Sequence, residues 1–475
     1  MSELPESWVP TTLGQVVSYA DNETADPADM SPEAWILELE DIERDTGKVL
    51  ERKTVGERVP KSSKNRFQAG DVLYGKLRPY LNKVVRADQN GFCSSEIIAI
   101  SPGLLDKNYL FYSMRSPGFI EYVRSVSHGI RMPRLGTQQA KSAPFVLPPR
   151  AEQTRIAQKL DELLAQVETL KARIDAIPAL LKRFRQSVLA SAVSGRLTKH
   201  WRDMNPEQRA EQTIKALKAA RPAKEQEHKP VFFEELPHIP ENWEWASLGF
   251  LVSPDEVLCY GVVQPGSDDP NGVYLIRAGD LNSGSVDTSQ LRKISVTTNN
   301  EYRRSQVKGG EILITVVGAG IGETAIIPAE CAGFNIARAV AKLPIREIST
   351  KYVYLWLSTS LALSWMKGSS REVARPTLNL EQLRALPVPI PAYSEQVEIV
   401  RRVEQLFAFA EQLEAKVATA QARIDHLTQS ILAKAFRGEL VPQDPNDEPA
   451  SLLLERIQAQ RAAAPKAKRG RKASA

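Results

Sequence analysis

The feature that most constrains this chain is that it repeats itself at a very long period. Leu4-Pro5-Glu6-Ser7-Trp8, followed by Leu13-Gly14, returns as Ile239-Pro240-Glu241-Asn242-Trp243, followed by Leu248-Gly249. Gly70-Asp71-Val72-Leu73 returns as Gly310-Glu311-Ile312-Leu313, and Gly91-Phe92 as Gly333-Phe334. Over these matches the offset drifts from 235 to 240 to 242. It then locks at 243, pairing Pro133 with Pro376, Glu152-Gln153 with Glu395-Gln396, Gly195 with Gly438 and Pro222 with Pro465. A drifting offset marks loops of different length. A locked one marks an element, free of insertions, that is present twice. Solenoid units run to about 20–50 residues, so so long a period means two copies of a domain with an appended element.

The appended element carries a heptad stripe. In the first copy it reads Ile156, Leu160, Leu163, Val167, Leu170, Ile174, Ile177, Leu181, Phe184 and Val188, in alternating steps of 4 and 3. In the second it reads Ile399, Val403, Leu406, Ala410, Leu413, Val417, Ala420, Ile424, Leu427 and Ile431, in the same steps. Spacing of 3.5 residues sustained over more than four heptads predicts a coiled-coil helix. Pro148-Pro149, and Pro387, Pro389 and Pro391, precede the two helices and suit a helix start. Gly195 and Gly438 suit a helix stop. Pro178 interrupts the first stripe where the second has Gln421, and predicts a kink or short break in the first helix only.

The domains before the helices read as mixed α/β. Trp35–Leu37 and Val72–Tyr74 in the first copy, and Val273–Ile276 and Ile312–Val317 in the second, look like strands. An apolar helix is expected near Tyr109–Tyr122 and another near Val353–Met366. The fold class expected is therefore α+β: two mixed α/β domains separated by two long helices that form an antiparallel coiled coil, with a pseudo-twofold internal repeat. Two like halves in one chain tend to pack as a symmetric dimer does. The resulting object is a ruler with a reader at each end, which suits a split DNA target.

Composition narrows the classes. Of 475 residues, 62 are Lys or Arg and 57 Asp or Glu, a net charge of +5 that permits a nucleic-acid partner. The three cysteines, Cys93, Cys259 and Cys331, are far apart, which excludes a CxxC zinc site and a disulfide framework and fits a reducing cytosol. No apolar run is long enough to span a membrane, and Met1-Ser2-Glu3-Leu4-Pro5 does not read as a signal peptide. A cytoplasmic location is expected.

Four segments carry a family resemblance: Leu4-Pro5-Glu6-Ser7-Trp8; Leu147-Pro148-Pro149-Arg150-Ala151-Glu152-Gln153; Leu181-Lys182-Arg183-Phe184-Arg185-Gln186; and Thr428-Gln429-Ser430-Ile431-Leu432-Ala433-Lys434-Ala435-Phe436-Arg437-Gly438-Glu439-Leu440. With these the chain resembles the specificity (S) subunit of type I restriction–modification enzymes, and its last segment looks like the enteric IA-type members. The resemblance implies target-recognition domains at 1–147 and 236–390, helical spacers at 148–200 and 391–440, a short helix and linker at 201–235, and a short helix and basic tail at 441–475. It implies a non-catalytic subunit that reads a bipartite, asymmetric DNA sequence with a nonspecific gap. Two modification subunits would dock on the helices and supply S-adenosylmethionine-dependent adenine-N6 methylation. Two restriction subunits would add ATP-driven, Mg-dependent translocation and cleavage. No cofactor is expected in this chain.

The residues agree that chemistry lies elsewhere. There is no G-x-x-x-x-G-K-[ST] phosphate loop and no Asn/Asp-Pro-Pro-Tyr/Phe motif of amino-methyltransferases. Metal-ligand spacing is absent as well. Gly318-Ala319-Gly320-Ile321-Gly322 follows a strand-like run, as a nucleotide-binding loop would, but Ala325-Ile326-Ile327-Pro328 after it is no helix start. A glycine-rich hairpin is the better reading. Two other functions remain open: an S-adenosylmethionine-binding methyltransferase using that loop, and a coiled-coil adaptor for protein partners only.

Phosphate contacts want Lys and Arg, and base reading wants Arg, Lys, Asn or Gln at a groove edge. In the first domain Lys76, Arg78, Tyr80 and Lys83 form a basic–aromatic cluster, and Arg131 and Arg134 lie in the loop before the spacer. In the second, Arg303, Arg304 and Lys308 precede a strand, and Arg371 and Arg375 occupy the matching loop. Lys182 and Arg183 beside the first stripe are candidates for the phosphates of the gap. Position 38 is Glu where its repeat mate is Arg277, either a difference in DNA reading or a structural salt bridge. Lys466–Lys472 reads as a basic tail adding nonspecific attraction.

Overall fold

The computed structural model describes residues 4–127, 132–222, 230–282, 284–369 and 376–463. The chain forms two compact units, Met1–Asp175 with Ala418–Ala475, and Ala176–Val417. Each mixes helices and short strands.

In the first unit, Val9–Thr12 pairs antiparallel with Pro144–Leu147, Val9 opposite Leu147, and so brings the start of the domain to the foot of the long helix. A five-stranded sheet has the order Thr24–Ala25, Lys64–Phe67, Gly91–Cys93, Trp35–Leu37, Lys53–Thr54. Its centre is a parallel pair, Ile36 opposite Phe92 and Leu37 opposite Cys93. A three-stranded sheet places Val72–Gly75 between Val84–Arg86 and Ile97–Ile100. Ile36, Leu37, Val72, Leu73 and Ile97 are buried because these runs are apolar on both faces.

The second unit repeats the plan. Glu244–Ser247 pairs antiparallel with Pro387–Ile390, whose two prolines are tolerated because this is a two-stranded sheet with a free edge. Val273–Ile276 runs parallel to Asn335–Ile336. Ile312–Thr315 sits between Thr324–Ile326 and Val340–Leu343. The apolar helix expected in each domain is two. In the first domain Lys107–Ser113 ends and Pro117–Val126 begins anew, because Ser116 caps the backbone N–H of Phe119 and Pro117 has no N–H to give. In the second, Thr350–Leu357 gives way to Ser360–Ser369, and Thr359 caps Ala362.

The long helices are Arg150–Val193 and Tyr393–Ala435. In the first unit Lys171 pairs with Asp425 at 3.0 Å, and Gln421 Nε2 donates to Asp175 Oδ1 at 2.7 Å. Moving forward along one helix therefore moves backward along the other. In the second unit Arg185 pairs with Glu414. Of the expected seam residues, Ile156, Leu160, Val167, Ile424 and Ile431 are buried in the first unit, and Leu181, Ile399, Val403 and Val417 in the second. Leu163, Ile174, Ile177, Leu406 and Leu413 are half-buried. Leu170 and Leu427 remain 47% and 44% exposed, and neither belongs to the core cluster that takes in Val167, Ile424 and Ile431. The helix runs unbroken through Pro178. The proline removes one hydrogen bond and lies on the exposed side, where water can take up the freed carbonyl.

The Glu-Gln pair that locks the repeat is a buried staple in both units. Gln153 Nε2 donates to the Pro148 carbonyl and its Oε1 accepts from the Asp106 N–H. Gln396 does the same with Pro391 and Ser349. Trp8 Nε1 donates to Glu152 at 2.8 Å and Trp243 Nε1 to Glu395 at 2.9 Å. The end of each helical element then packs on the start of a domain. Gly195 and Gly438 have positive φ (+73° and +78°) and touch Pro240 and Pro5, so neither has room for a side chain. The Ala210 N–H donates to the Asn242 carbonyl at 2.9 Å, and the Ala450 N–H to the Ser7 carbonyl at 3.2 Å.

Candidate nucleic-acid interface

The two glycine-rich and basic turns singled out in the sequence are the same turn. In the first domain the strands Val72–Gly75 and Val84–Arg86 form a hairpin, Tyr74 opposite Val84. In the second, Ile312–Thr315 and Thr324–Ile326 form one, Ile314 opposite Thr324. The Gly318–Gly322 segment is thus a hairpin turn and lacks the strand–turn–helix context of a nucleotide loop. Each turn is clamped to the segment leading to the long helix. The Arg78 N–H donates to the Pro133 carbonyl at 2.7 Å and the Leu135 N–H to Lys76 at 2.9 Å. The Gly318 N–H donates to Pro376 at 2.9 Å and the Leu378 N–H to Val316 at 2.9 Å. Single bridges, Leu77 with Arg134 and Val317 with Thr377, complete the match.

Around this frame the candidate side chains divide. Arg78 and Tyr80 are exposed, Tyr80 at 43%, and Lys76 is half-buried. Lys83 is turned inward: its Nζ donates to the Leu39 carbonyl at 2.6 Å, and burial pushes its pKa down. Arg134 forms a two-pronged pair with Glu96 at 3.1 and 3.2 Å. Arg131, Arg371 and Arg375, like the Lys466–Lys472 tail, lie outside the described residues. Lys182 and Arg183 are exposed on the first long helix, one turn from the Arg185–Glu414 pair.

In the second domain Arg303, Arg304 and Lys308 border an open cleft of about 470 Å³ that also exposes parts of Glu256 and Lys342. Lys308 and Arg346 both pair with the Glu256 carboxylate, at 3.2 and 3.0 Å. Lys342 is 4% exposed and its Nζ donates to the Gln306 carbonyl at 2.7 Å. Sequence reasoning passed over Lys342; its only signal is a lone charge in the apolar strand Val340–Leu343. Glu38 and Arg277 occupy the same turn, the N–H of each donating to an aspartate three residues on, Asp41 or Asp280, at 2.8 Å. Both are in salt bridges, Glu38 with Lys64 at 2.7 Å and Arg277 with Asp280 at 3.0 Å. Among the described residues no cluster of His, Cys, Asp and Glu is arranged to hold a metal ion.

The arrangement can present cations and amides from a rigid turn, which is recognition chemistry. The comparisons point the same way. A family model described as the type I restriction modification DNA specificity domain matches residues 5–179 and 267–419. The type I restriction enzyme EcoBI specificity subunit of Escherichia coli is 42% identical over 385 residues, 79% of this chain and 76% of that protein. The EcoDI specificity subunit of E. coli is 35% identical, over 79% of this chain and 81% of its own. The EcoKI specificity subunit of E. coli strain K12 is 30% identical, over 78% and 75%. Among solved structures, a chain from work on complex assembly and conformational transition of the type I R-M system aligns with a TM-score of 0.62 at 20% identity, covering 92% of this chain and 100% of that one. The HsdS subunit from Thermoanaerobacter tengcongensis aligns with a TM-score of 0.56, also at 20% identity, covering 92% and 98%. At such identity these two speak for the fold.

Proposed function

Because the chain belongs to the type I restriction–modification DNA specificity subunits, we propose that it reads a bipartite, asymmetric DNA target, one part with each recognition domain, across a gap of set length. It is a DNA sequence-specificity subunit without chemistry of its own. The observation that carries the bipartite reading is one recognition scaffold built twice with different surface chemistry: the same clamped turn bears Arg78 and Tyr80 in one copy and three glycines in the other. One scaffold gives one way of meeting a groove, and different side chains give different half-sites.

The long helices serve as an antiparallel coiled-coil ruler related by a pseudo-twofold. The opposed order of the Lys171–Asp425 and Asp175–Gln421 pairs supports this. Two modification subunits dock on the helices and bring S-adenosylmethionine for adenine-N6 methylation. Two restriction subunits bring the ATP- and Mg-dependent motor and nuclease. Lys76, Arg78, Tyr80, Arg303, Arg304 and Lys308 make the DNA contacts of the domains, with Arg131, Arg371 and Arg375, and Lys182 and Arg183 meet the phosphates of the gap. Lys83 and Arg134 are also engaged within the domain, as Lys308 is with Glu256, and the exposed heads of Arg134 and Lys308 can meet DNA phosphates as well. The three free cysteines fit a cytoplasmic location, and no described helix is long and apolar enough to cross a membrane.

The ruler is tested by inserting seven residues, one heptad, in phase into both helices. That lengthens each by about 10 Å, or about three base pairs at ~3.4 Å each. Mapping methylated adenines in host DNA should show the same half-sites with a longer gap. A gap of unchanged length would refute the ruler.

A further inference from the structure

Position 78 sits in a conformation its backbone does not require an arginine to adopt. Arg78 (φ +48°, ψ +57°) and Asn82 (φ +47°, ψ +48°) are both left-handed, and they bracket the short turn Pro79–Leu81. Left-handed backbone disfavours side chains with a Cβ, and asparagine tolerates it better than arginine does. The second copy shows the relaxed solution. There the two bracketing positions are Gly318 (φ +93°) and Gly322 (φ +89°), and the Gly318 N–H meets the Pro376 carbonyl as the Arg78 N–H meets that of Pro133. The scaffold can therefore be built with glycine, and arginine at 78 carries a strain that its side chain has to justify.

No described residue of the domain does so. The guanidinium is exposed and makes no hydrogen bond or ion pair among the described residues. Its neighbours Arg134 and Lys83 are spent on Glu96 and Leu39. Pro79 between them is buried and fixes the turn, while Tyr80 stands 43% exposed beside Arg78. An unpartnered arginine and an exposed tyrosine on a turn pinned from both sides form a pre-organised reading tip. Such a fork reads guanine O6 and N7 in a major groove.

We infer that Arg78 reads a guanine in the half-site of the first recognition domain, and that the glycine turn Gly318–Gly322 leaves the second domain to read its half-site with side chains elsewhere. This rests on the specificity-subunit reading above, and the test separates the two. The full chain, assembled with its modification subunit, is used to select bound duplexes from a random-sequence pool. Wild type, Arg78→Gly and Arg78→Lys are compared, with thermal midpoints measured alongside. Arg78→Gly should keep or raise the midpoint, since it relieves the left-handed strain. It should also lose about tenfold or more of its discrimination at one G·C pair of one half-site, with the other half-site and the gap unchanged. Arg78→Lys should fall between. An unchanged motif, a uniform loss over both half-sites, or a lowered midpoint in Arg78→Gly would overturn the inference. A wild-type assembly that selects no split motif would overturn the specificity reading instead.

Discussion

Replacing each of two equivalent buried glutamates by glutamine should cost very different amounts. Glu152 and Glu395 are repeat mates, 1% and 0% exposed, and each accepts a hydrogen bond from a tryptophan indole. Their other partners differ. Glu395 accepts from Thr198 Oγ1 at 2.7 Å and from Arg202 Nη1 at 2.6 Å, and Arg202 is itself only 14% exposed. Glu395→Gln leaves that guanidinium without its counter-charge. Breaking a buried pair costs about 3–5 kcal/mol, and Arg202 keeps its bond to the Gly195 carbonyl, so we expect the lower end of that range. Glu152 has only neutral donors, Trp8 and Gln443, the latter at 2.6 Å. Glu152→Gln keeps the indole bond, and an amide flip of Gln443 can answer the new N–H, so the cost is about 1 kcal/mol or less. The pH dependence sharpens the contrast. Burial raises the Glu152 carboxyl above its ordinary value. The stability this contributes is full below the unfolded value and is lost as pH rises through the folded one. Glu152→Gln should remove that decline and be close to neutral at pH 7. Guanidinium denaturation followed by tryptophan fluorescence measures both, since Trp8 and Trp243 sit at the two sites. A Glu152→Gln variant as unstable as Glu395→Gln at pH 7 would refute the reasoning.

Glu398 gives the opposite pH sign. Arg401 and Arg402 donate to it at 2.6–2.7 Å and hold its pKa at about 2 against an ordinary 4.5. Its contribution is present above the ordinary value and lost as pH falls toward the folded one; with half-exposed Arg401 screening the pair, it is worth about 1–2 kcal/mol. Glu398→Gln should flatten the acid limb of a stability–pH curve, and an unchanged limb would contradict the pairing. In the helical seam, Leu160→Ala should cost about 2–5 kcal/mol at a fully buried site, while Leu170→Ala, 47% exposed, should cost far less. Equal shifts of denaturation midpoint would show that the stripe is not buried as described.

The long helices were legible because their repeat is locked: a seam tolerates no insertion, so 243 residues separate every matched pair and the heptad steps never slip. The Glu-Gln staple was visible for the same reason, though its burial was not. The paired turns were harder to see. Arg78-Pro79-Tyr80-Leu81-Asn82 and Gly318-Ala319-Gly320-Ile321-Gly322 share a positive φ at both ends and no residue identity, because left-handed φ is a property of the chain that only glycine advertises. Helix boundaries turned on single caps, Ser116 and Thr359, within runs that look uniformly apolar. Which cations are free depends on partners distant in sequence. Glu96 takes Arg134, and Leu39 takes Lys83, and neither contact has a periodicity to reveal it.

The joint between one copy and the next has a wider consequence. Gly195 on Pro240 with Ala210 on Asn242, and Gly438 on Pro5 with Ala450 on Ser7, are one joint made twice. In the second case the helical end lies far along the chain from the domain start it grips, and yet the glycine–proline contact and the backbone hydrogen bond are both made. Nearness in sequence is therefore not what seats a domain on a helical end. Each domain is held at its two ends, by the Pro-Glu-x-Trp segment and by the Glu-Gln staple, through contacts that both copies make.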